Sequence, residues 1–417
     1  MDIKRDIYLK KLIDAKENHM IKVITGLRRS GKSYLLDPIF KDYLLNNGVK
    51  LNHIIKLELD REENKKYRDS TELNNYIKSQ IKDNDIYYIL LDEIQLVEGF
   101  EAVLNGLLYE RNLDVYVTGS NSKFLSSDII TEFRGRGDEI RVYPLTYSEV
   151  LPVYNNDKSM AWKHYVNYGG MPQVVLENTI EKKEQYLKYL FNNVYINDII
   201  ERNNLKEDNN IDSVINVLAS SVGSLTNPLK LANTFESNGI KGITNKTISS
   251  YLGYMLDAFL ISKAEKYDIK GKKYISTPSK YYFADIGLRN ARLNFRQQEE
   301  NHLMENIIYN ELLYRGYNVD VGIIEQFYID ETGDRKRKQL EIDFVCNKGS
   351  KRYYIQSALN IDSKEKNEQE SRSLNAVSDN FKKIIVVKDD ILLWRNEDGI
   401  LIIGIQEFLS NPNSLDL

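Results

Sequence analysis

Cysteine is almost missing from this chain of 417 residues: Cys346 has no partner for an internal disulfide. That sets aside the small secreted domains that disulfides hold together. Histidine is sparse as well. His19, His53, His164 and His302 are scattered, with no cysteine or aspartate at metal-ligand or catalytic spacing, so no zinc site and no histidine-based catalysis is expected. With only 7 prolines and 22 glycines, the chain must consist mostly of regular elements with short joints. Long apolar runs are absent. Segments 86–91 and 400–405 are strand-sized, far below the roughly 20 residues of a membrane span. Residues 1–6 lack the apolar stretch of a signal peptide, and a cytoplasmic protein without membrane contact is expected. Neither sign of charge dominates. Lys and Arg number 57 against 61 Asp and Glu, a net charge of −4, so any hold on nucleic acid must come from a local patch. The rest is an ordinary globular balance, 42% hydrophobic and 28% charged. It rules out a largely disordered chain, and the length suits two or three domains.

Residues 1–150 alternate between the two periodicities. An amphipathic stretch at 5–15 and helical patterning from 32 to about 46 lie among strand-like runs at 21–24, 53–59, 87–91 and 114–118. Strands separated by helices predict a parallel α/β sheet covered on both faces. Residues 151–206 turn helical. Within 207–294, helices are expected at 214–222, 227–236 and 245–257, with Thr244 as N-cap of the third. Strands at 260–264 and 272–276 then flank a tip at 268–271, and three helices with a hairpin predict a winged helix. Residues 295–417 read as a helix from His302, strands at 323–329, 340–346 and 352–358, a helix at 364–377 and a strand at 383–387.

The most specific signal is Gly26-Leu27-Arg28-Arg29-Ser30-Gly31-Lys32-Ser33, a complete G-x-x-x-x-G-K-[ST] between a strand and a helix. Its glycines let backbone N–H groups curl around phosphate oxygens. Gly26, Arg29, Ser30, Gly31, Lys32, Ser33 and the following Tyr34 are the candidate nucleotide contacts, with Lys32 reaching the β- and γ-phosphates and Ser33 ligating Mg²⁺. The strand 88–91 then ends in Asp92 and Glu93. Asp92 is placed to hold the metal and Glu93 to orient or deprotonate a water, a second carboxylate that passive nucleotide binding does not need.

The strand 115–118 runs into Gly119-Ser120-Asn121, and Arg134 and Arg136 follow before Tyr143-Pro144-Leu145. In this order the motifs resemble the AAA+ ATPases. The resemblance implies ATP binding, Asn121 as the residue that senses the γ-phosphate, and Arg134 or Arg136 as arginine fingers acting in cis or from a neighbouring subunit. The alternative for both arginines is pairing with Asp138, Glu139 or carbonyls. Adding Pro144-Leu145-Thr146-Tyr147-Ser148-Glu149, Tyr168-Gly169-Gly170-Met171-Pro172 and Asp198-Ile199-Ile200-Glu201-Arg202, most of the chain is similar to prokaryotic AAA ATPases with a C-terminal DUF4143 domain. That family implies a winged helix and a nuclease-like C-terminal half.

The predicted wing is locally basic, with six lysines from Lys263 to Lys280 against Glu265 and Asp268. DNA is its candidate partner, with Lys246, Thr247 and Ser250 toward a groove; a solvated face or a protein partner is the alternative. The last segment resembles the PD-(D/E)XK nuclease core, an α/β restriction-endonuclease-like fold. Glu305 and Asp343 match two of its acidic positions. Gln356 stands where the third carboxylate belongs and Ala358 where the lysine belongs, so the resemblance implies a vestigial site without cleavage. Arg335-Lys336-Arg337-Lys338 is a hairpin tip that would touch phosphates if this domain holds nucleic acid.

Overall fold

A computed structural model describes residues 3–119, 135–205, 209–237, 242–296, 299–329 and 333–417. They divide into two compact units, Met1–Pro144 with Asp257–Phe259, and Leu145–Leu256 with Leu260–Leu417. The first is built on β1 (Ile21–Gly26), β2 (Ile54–Glu58), β3 (Tyr87–Asp92), β4 (Leu113–Thr118) and β5 (Gly137–Val142), all parallel, in the order β2–β3–β4–β1–β5. This is the expected P-loop type of α/β sheet. β1, β3 and β4 are buried along their whole length, which is why they read as unbroken apolar runs. On one face Val23, Ile89, Val115 and Val117 pack with Leu73, Ile77, Leu104 and Leu107 of the covering helices.

One polar pair interrupts this core. Lys22, fully buried in β1, forms an ion pair with Asp114 of β4, and Tyr116 Oη donates to the same carboxylate at 2.9 Å. The pair ties β1 to β4 near their amino ends. Because β4 lies between β1 and β3, Gly26, Thr118 and Asp92 emerge side by side at the carboxyl edge, where open parallel sheets bind ligands. The helix expected over 32–46 is broken. Asp37 is extended (φ −144°, ψ 118°) before Pro38, and a regular helix resumes at Lys41–Asn46. The proline ring drives the residue before it out of helical conformation.

The second unit holds a mixed sheet of β6 (Ile261–Asp268), β7 (Lys273–Phe283), β8 (Asn318–Ile329), β9 (Arg335–Lys348), β10 (Lys351–Ala358), β11 (Lys382–Val387), β12 (Trp394–Arg395) and β13 (Leu401–Gly404), ordered β12–β13–β11–β10–β9–β8–β6–β7. Within it the hairpin of the predicted winged helix meets the C-terminal sheet. The predicted wing is longer than expected and is not a free hairpin: β6 pairs in parallel with β8, Lys266 opposite Val321, so the hairpin extends the C-terminal sheet. Residues 145–205 are grouped with the rest of the second unit. The three helices do form, at Asn209–Ser220, Pro228–Ser237 and Asn245–Asp257. Thr244 Oγ1 accepts from Thr247 N at 3.1 Å, as its N-cap position predicts.

The Gly169-Gly170 motif has a structural partner. Asp285, fully enclosed, accepts Gly170 N at 2.7 Å and Leu288 N at 3.0 Å. Burial pushes its carboxyl up to about 6, although the N–H groups of Gly170, Leu288 and Gly287 favour the charged form. An unfolded aspartate ionises near pH 4. Between those values the folded chain holds the extra proton, so this group's contribution to stability falls as pH rises through the window. Asp285→Asn has no such titration. The stability advantage of the natural chain over D285N is therefore larger at pH 4 than at pH 7, by about 2 kcal/mol, as read from urea unfolding of both chains at each pH.

Candidate nucleotide-binding site

The turn after β1 is shaped by its glycines. Gly26 has φ +136°, and a Cβ there would sit 2.1 Å from the Val142 carbonyl oxygen, so β5 excludes every side chain. Gly31, at φ +97°, opens the helix from the left-handed region. The Lys32 ammonium is buried and folds back over the loop, donating to Gly26 O at 3.0 Å and Leu27 O at 3.1 Å. Ser30 Oγ is buried with no hydrogen-bond partner among the described residues. Arg29, Ser33 and Tyr34 are exposed around the turn.

Asp92 closes β3 as a buried carboxylate, and burial pushes it above the usual carboxylate range. Hydrogen bonds from the Thr118 and Ser33 hydroxyls oppose that shift. Thr118 Oγ1 also accepts Glu93 N at 3.1 Å. Glu93 itself is in the left-handed region (φ 55°, ψ 48°), a conformation that costs of order 1–3 kcal/mol. The backbone thus turns sharply away from the strand, with the Glu93 carboxylate bonded to the Gln95 amide. Ser33 and Asp92 offer a hydroxyl and a carboxylate, the hard oxygen donors that Mg²⁺ takes. They also line a cavity of about 290 Å³ with Tyr34, Asp37, Lys56 and Glu58. Lys56 is paired there with both Asp37 and Glu58.

The fold therefore brings Lys32, Ser33, Asp92 and Glu93 to one edge. Ser120, Asn121 and Arg134 lie outside the described residues. Arg136 stands just before β5, at the amino end of the sheet. Its carbonyl accepts from Ile21 N, at the start of β1. That is five residues below Gly26, roughly 17 Å, beyond the reach of its side chain. Thr118 was missed by motif reading; the signal was a hydroxyl closing the strand next to the carboxylate pair. Elsewhere His53, isolated in sequence, meets Asp83 at 3.1 Å with Asp85 nearby, at the amino end of the sheet.

In the second unit the basic wing is also corrected. Lys266 and Lys280 are buried and Lys263 is half-buried beside Glu265, leaving Lys270, Lys272 and Lys273 exposed at the tip. Lys280 instead joins the candidate acidic positions Glu305 and Asp343, bonding Glu305 at 2.8 Å, Asp343 at 3.3 Å and also Glu341 at 2.7 Å. Gln356 is turned to the helix Lys364–Asn375, accepting from Ser373 Oγ at 3.4 Å.

A model described as an AAA domain (AAA_14) matches residues 18–151, and two domains of unknown function, DUF8612 and DUF4143, match 159–299 and 300–408. An uncharacterized protein of Haemophilus influenzae is 37% identical over 413 residues, 98% of each chain. An uncharacterized protein of Methanocaldococcus jannaschii is 29% identical over 359 residues, covering 82% of this chain and 74% of that one. The solved structure of the Aeropyrum pernix ORC2 protein in its ADPNP-ADP complexes aligns with 70% of this chain and 92% of its own, at 10% identity and a TM-score of 0.37. Among the described residues no helix is long and apolar enough to cross a membrane.

Lys32→Ala removes a charged donor from the phosphate cradle. A charge-assisted hydrogen bond is worth about 1.5–3 kcal/mol, so K32A weakens binding of a non-hydrolysable ATP analogue by roughly 10- to 150-fold, measured by calorimetry.

Proposed function

This chain belongs to the family that joins an AAA domain to a C-terminal DUF4143 domain, and on that premise we propose that it is a magnesium-dependent ATPase. It converts ATP to ADP and phosphate, and couples its nucleotide state to a nucleic-acid or protein partner. The observation that carries this reading is the Thr118 hydroxyl, which bonds Asp92 and Glu93 N together beside Ser33. A purely passive holder has no use for a second carboxylate kept in a strained turn.

Lys32 exchanges the Gly26 and Leu27 carbonyls for the β- and γ-phosphate oxygens. Ser33 and Asp92 hold the Mg²⁺, which when bound neutralises charge on those oxygens. Glu93 receives the proton of the attacking water. Asn121 as γ-phosphate sensor and Arg134 as a charge-stabilising finger belong to the same proposal. Arg136 joins it only from a neighbouring subunit. The exposed wing lysines Lys270, Lys272 and Lys273 are the phosphate contacts toward DNA, and the C-terminal unit is a non-cleaving scaffold.

A second reading rests on the Gln95 amide bonded to the Glu93 carboxylate. A base held in this way suits a slow nucleotide switch that signals to a protein partner, as in bacterial defence. ATP turnover by the purified chain, with and without double-stranded DNA, separates the two. Glu93→Gln lowers turnover by about 100-fold or more while leaving ATP affinity in place; an E93Q chain that hydrolyses normally removes Glu93 as the base. Stimulation by DNA supports the nucleic-acid partner. Slow turnover that DNA does not change, and that Gln95→Ala raises, supports the switch.

A further inference from the structure

Sequence alone explains the loss of nuclease chemistry by what is missing, a carboxylate at Gln356 and a lysine at Ala358. The structure shows something present instead. Lys280 and Tyr282, two residues apart on β7, point to the same side of the strand and meet the helix Glu300–Tyr314 at Glu305. Tyr282 Oη donates to Glu305 Oε1 at 2.5 Å. The Lys280 ammonium has three protons and three carboxylates to receive them: Glu305 at 2.8 Å, Glu341 at 2.7 Å and Asp343 at 3.3 Å. Asp343 is further held by Ser357 N at 2.9 Å. Lys280 is only 3% exposed. Burial works against its charge, yet the three carboxylates raise its pKa above the ordinary lysine value.

A divalent cation with oxygen ligands needs several carboxylate oxygens converging on one point, at about 2.0–2.6 Å. Glu305, Glu341 and Asp343 do converge, but on a nitrogen. An ammonium and a metal ion cannot share that point, because they repel one another and compete for the same lone pairs. We infer that Lys280 is the built-in cation of this cluster: its ammonium occupies the place of a divalent metal among Glu305, Glu341 and Asp343, so the natural chain takes no metal there, and removing the ammonium opens a metal site. This rests on reading the C-terminal unit as a non-cleaving scaffold and supplies its cause. The obstacle is an occupied centre rather than an empty one.

Mn²⁺ binding tests it, followed by the electron paramagnetic resonance signal of the free ion. The full chain is used without nucleotide, and every variant carries Asp92→Asn to silence the metal site of the first unit. Addition of Lys280→Ala is expected to raise the Mn²⁺ bound by one ion per chain, and further addition of Asp343→Asn to abolish the gain. A folded D92N/K280A chain that gains no Mn²⁺ overturns the inference. Should K280A fold only with metal, Mn²⁺ restores its melting transition by circular dichroism, which supports it equally. The comparison of D92N with D92N/D343N stands whether or not K280A folds. Mn²⁺ bound by D92N and lost with Asp343→Asn overturns the inference, and equal binding by both supports it. The reading as a scaffold has its own test: Mn²⁺-dependent DNA cleavage by the natural chain defeats that reading without any measurement of metal stoichiometry.

Discussion

A carboxylate buried at the end of a strand is costly, and the first unit is arranged around that cost. Burial disfavours the charged form of Asp92. Two hydroxyls act against that shift, one from the strand inserted between β1 and β3 and one from the turn after β1. Those donors reach Asp92 only because the strand order is β2–β3–β4–β1–β5. The order depends in turn on ties along the sheet, including the buried Lys22–Asp114 pair near its opposite end. Sheet topology and site geometry are therefore one constraint. β4 contributes Thr118 to the site and Asp114 to its foundation.

The second unit meets a similar difficulty in another way. Glu305 and Asp343 are nearly buried, and two hydroxyls do not suffice for several converging carboxylates. The counter-charge comes from Lys280, 25 residues before Glu305 and 63 before Asp343. Breaking such a pair from one side strands the opposite charges, so the β6–β7 hairpin is bound chemically to the sheet it extends. Asp285 makes a tie of another kind, through backbone N–H groups, joining the Gly169-Gly170 turn to the start of the helix Ile286–Arg292.

Much of this was legible in the residues. β1, β3 and β4 appeared as apolar runs because both of their faces are covered, and the phosphate loop appeared because its chemistry permits few alternatives. Other features were hidden for definite reasons. Lys22 lies inside an apolar run and gave no sign of its role, since its partner is 92 residues away. Pro38 broke a helix whose apolar spacing continued past it. The wing lysines looked like one basic patch because spacing in sequence does not tell a strand's exposed tip from its buried root.

Local spacing was enough to name the candidate residues of the first site, Lys32, Ser33, Asp92 and Glu93, because phosphate and magnesium chemistry calls for particular residue types close together in the chain. The succession of elements was equally legible, since it follows from periodicity over a few turns or strands. What depends on distant segments meeting had to wait for the fold. It placed Thr118 between Asp92 and Glu93, set Arg136 at the far end of the sheet from Gly26, and merged the predicted wing with the C-terminal sheet. It also carried Lys280 from a supposed DNA-binding face into a cluster of carboxylates. Electrostatic partners of this kind are chosen by proximity in space, and burial then makes the choice binding, since a charge withdrawn from water must find its counterpart wherever the fold supplies one.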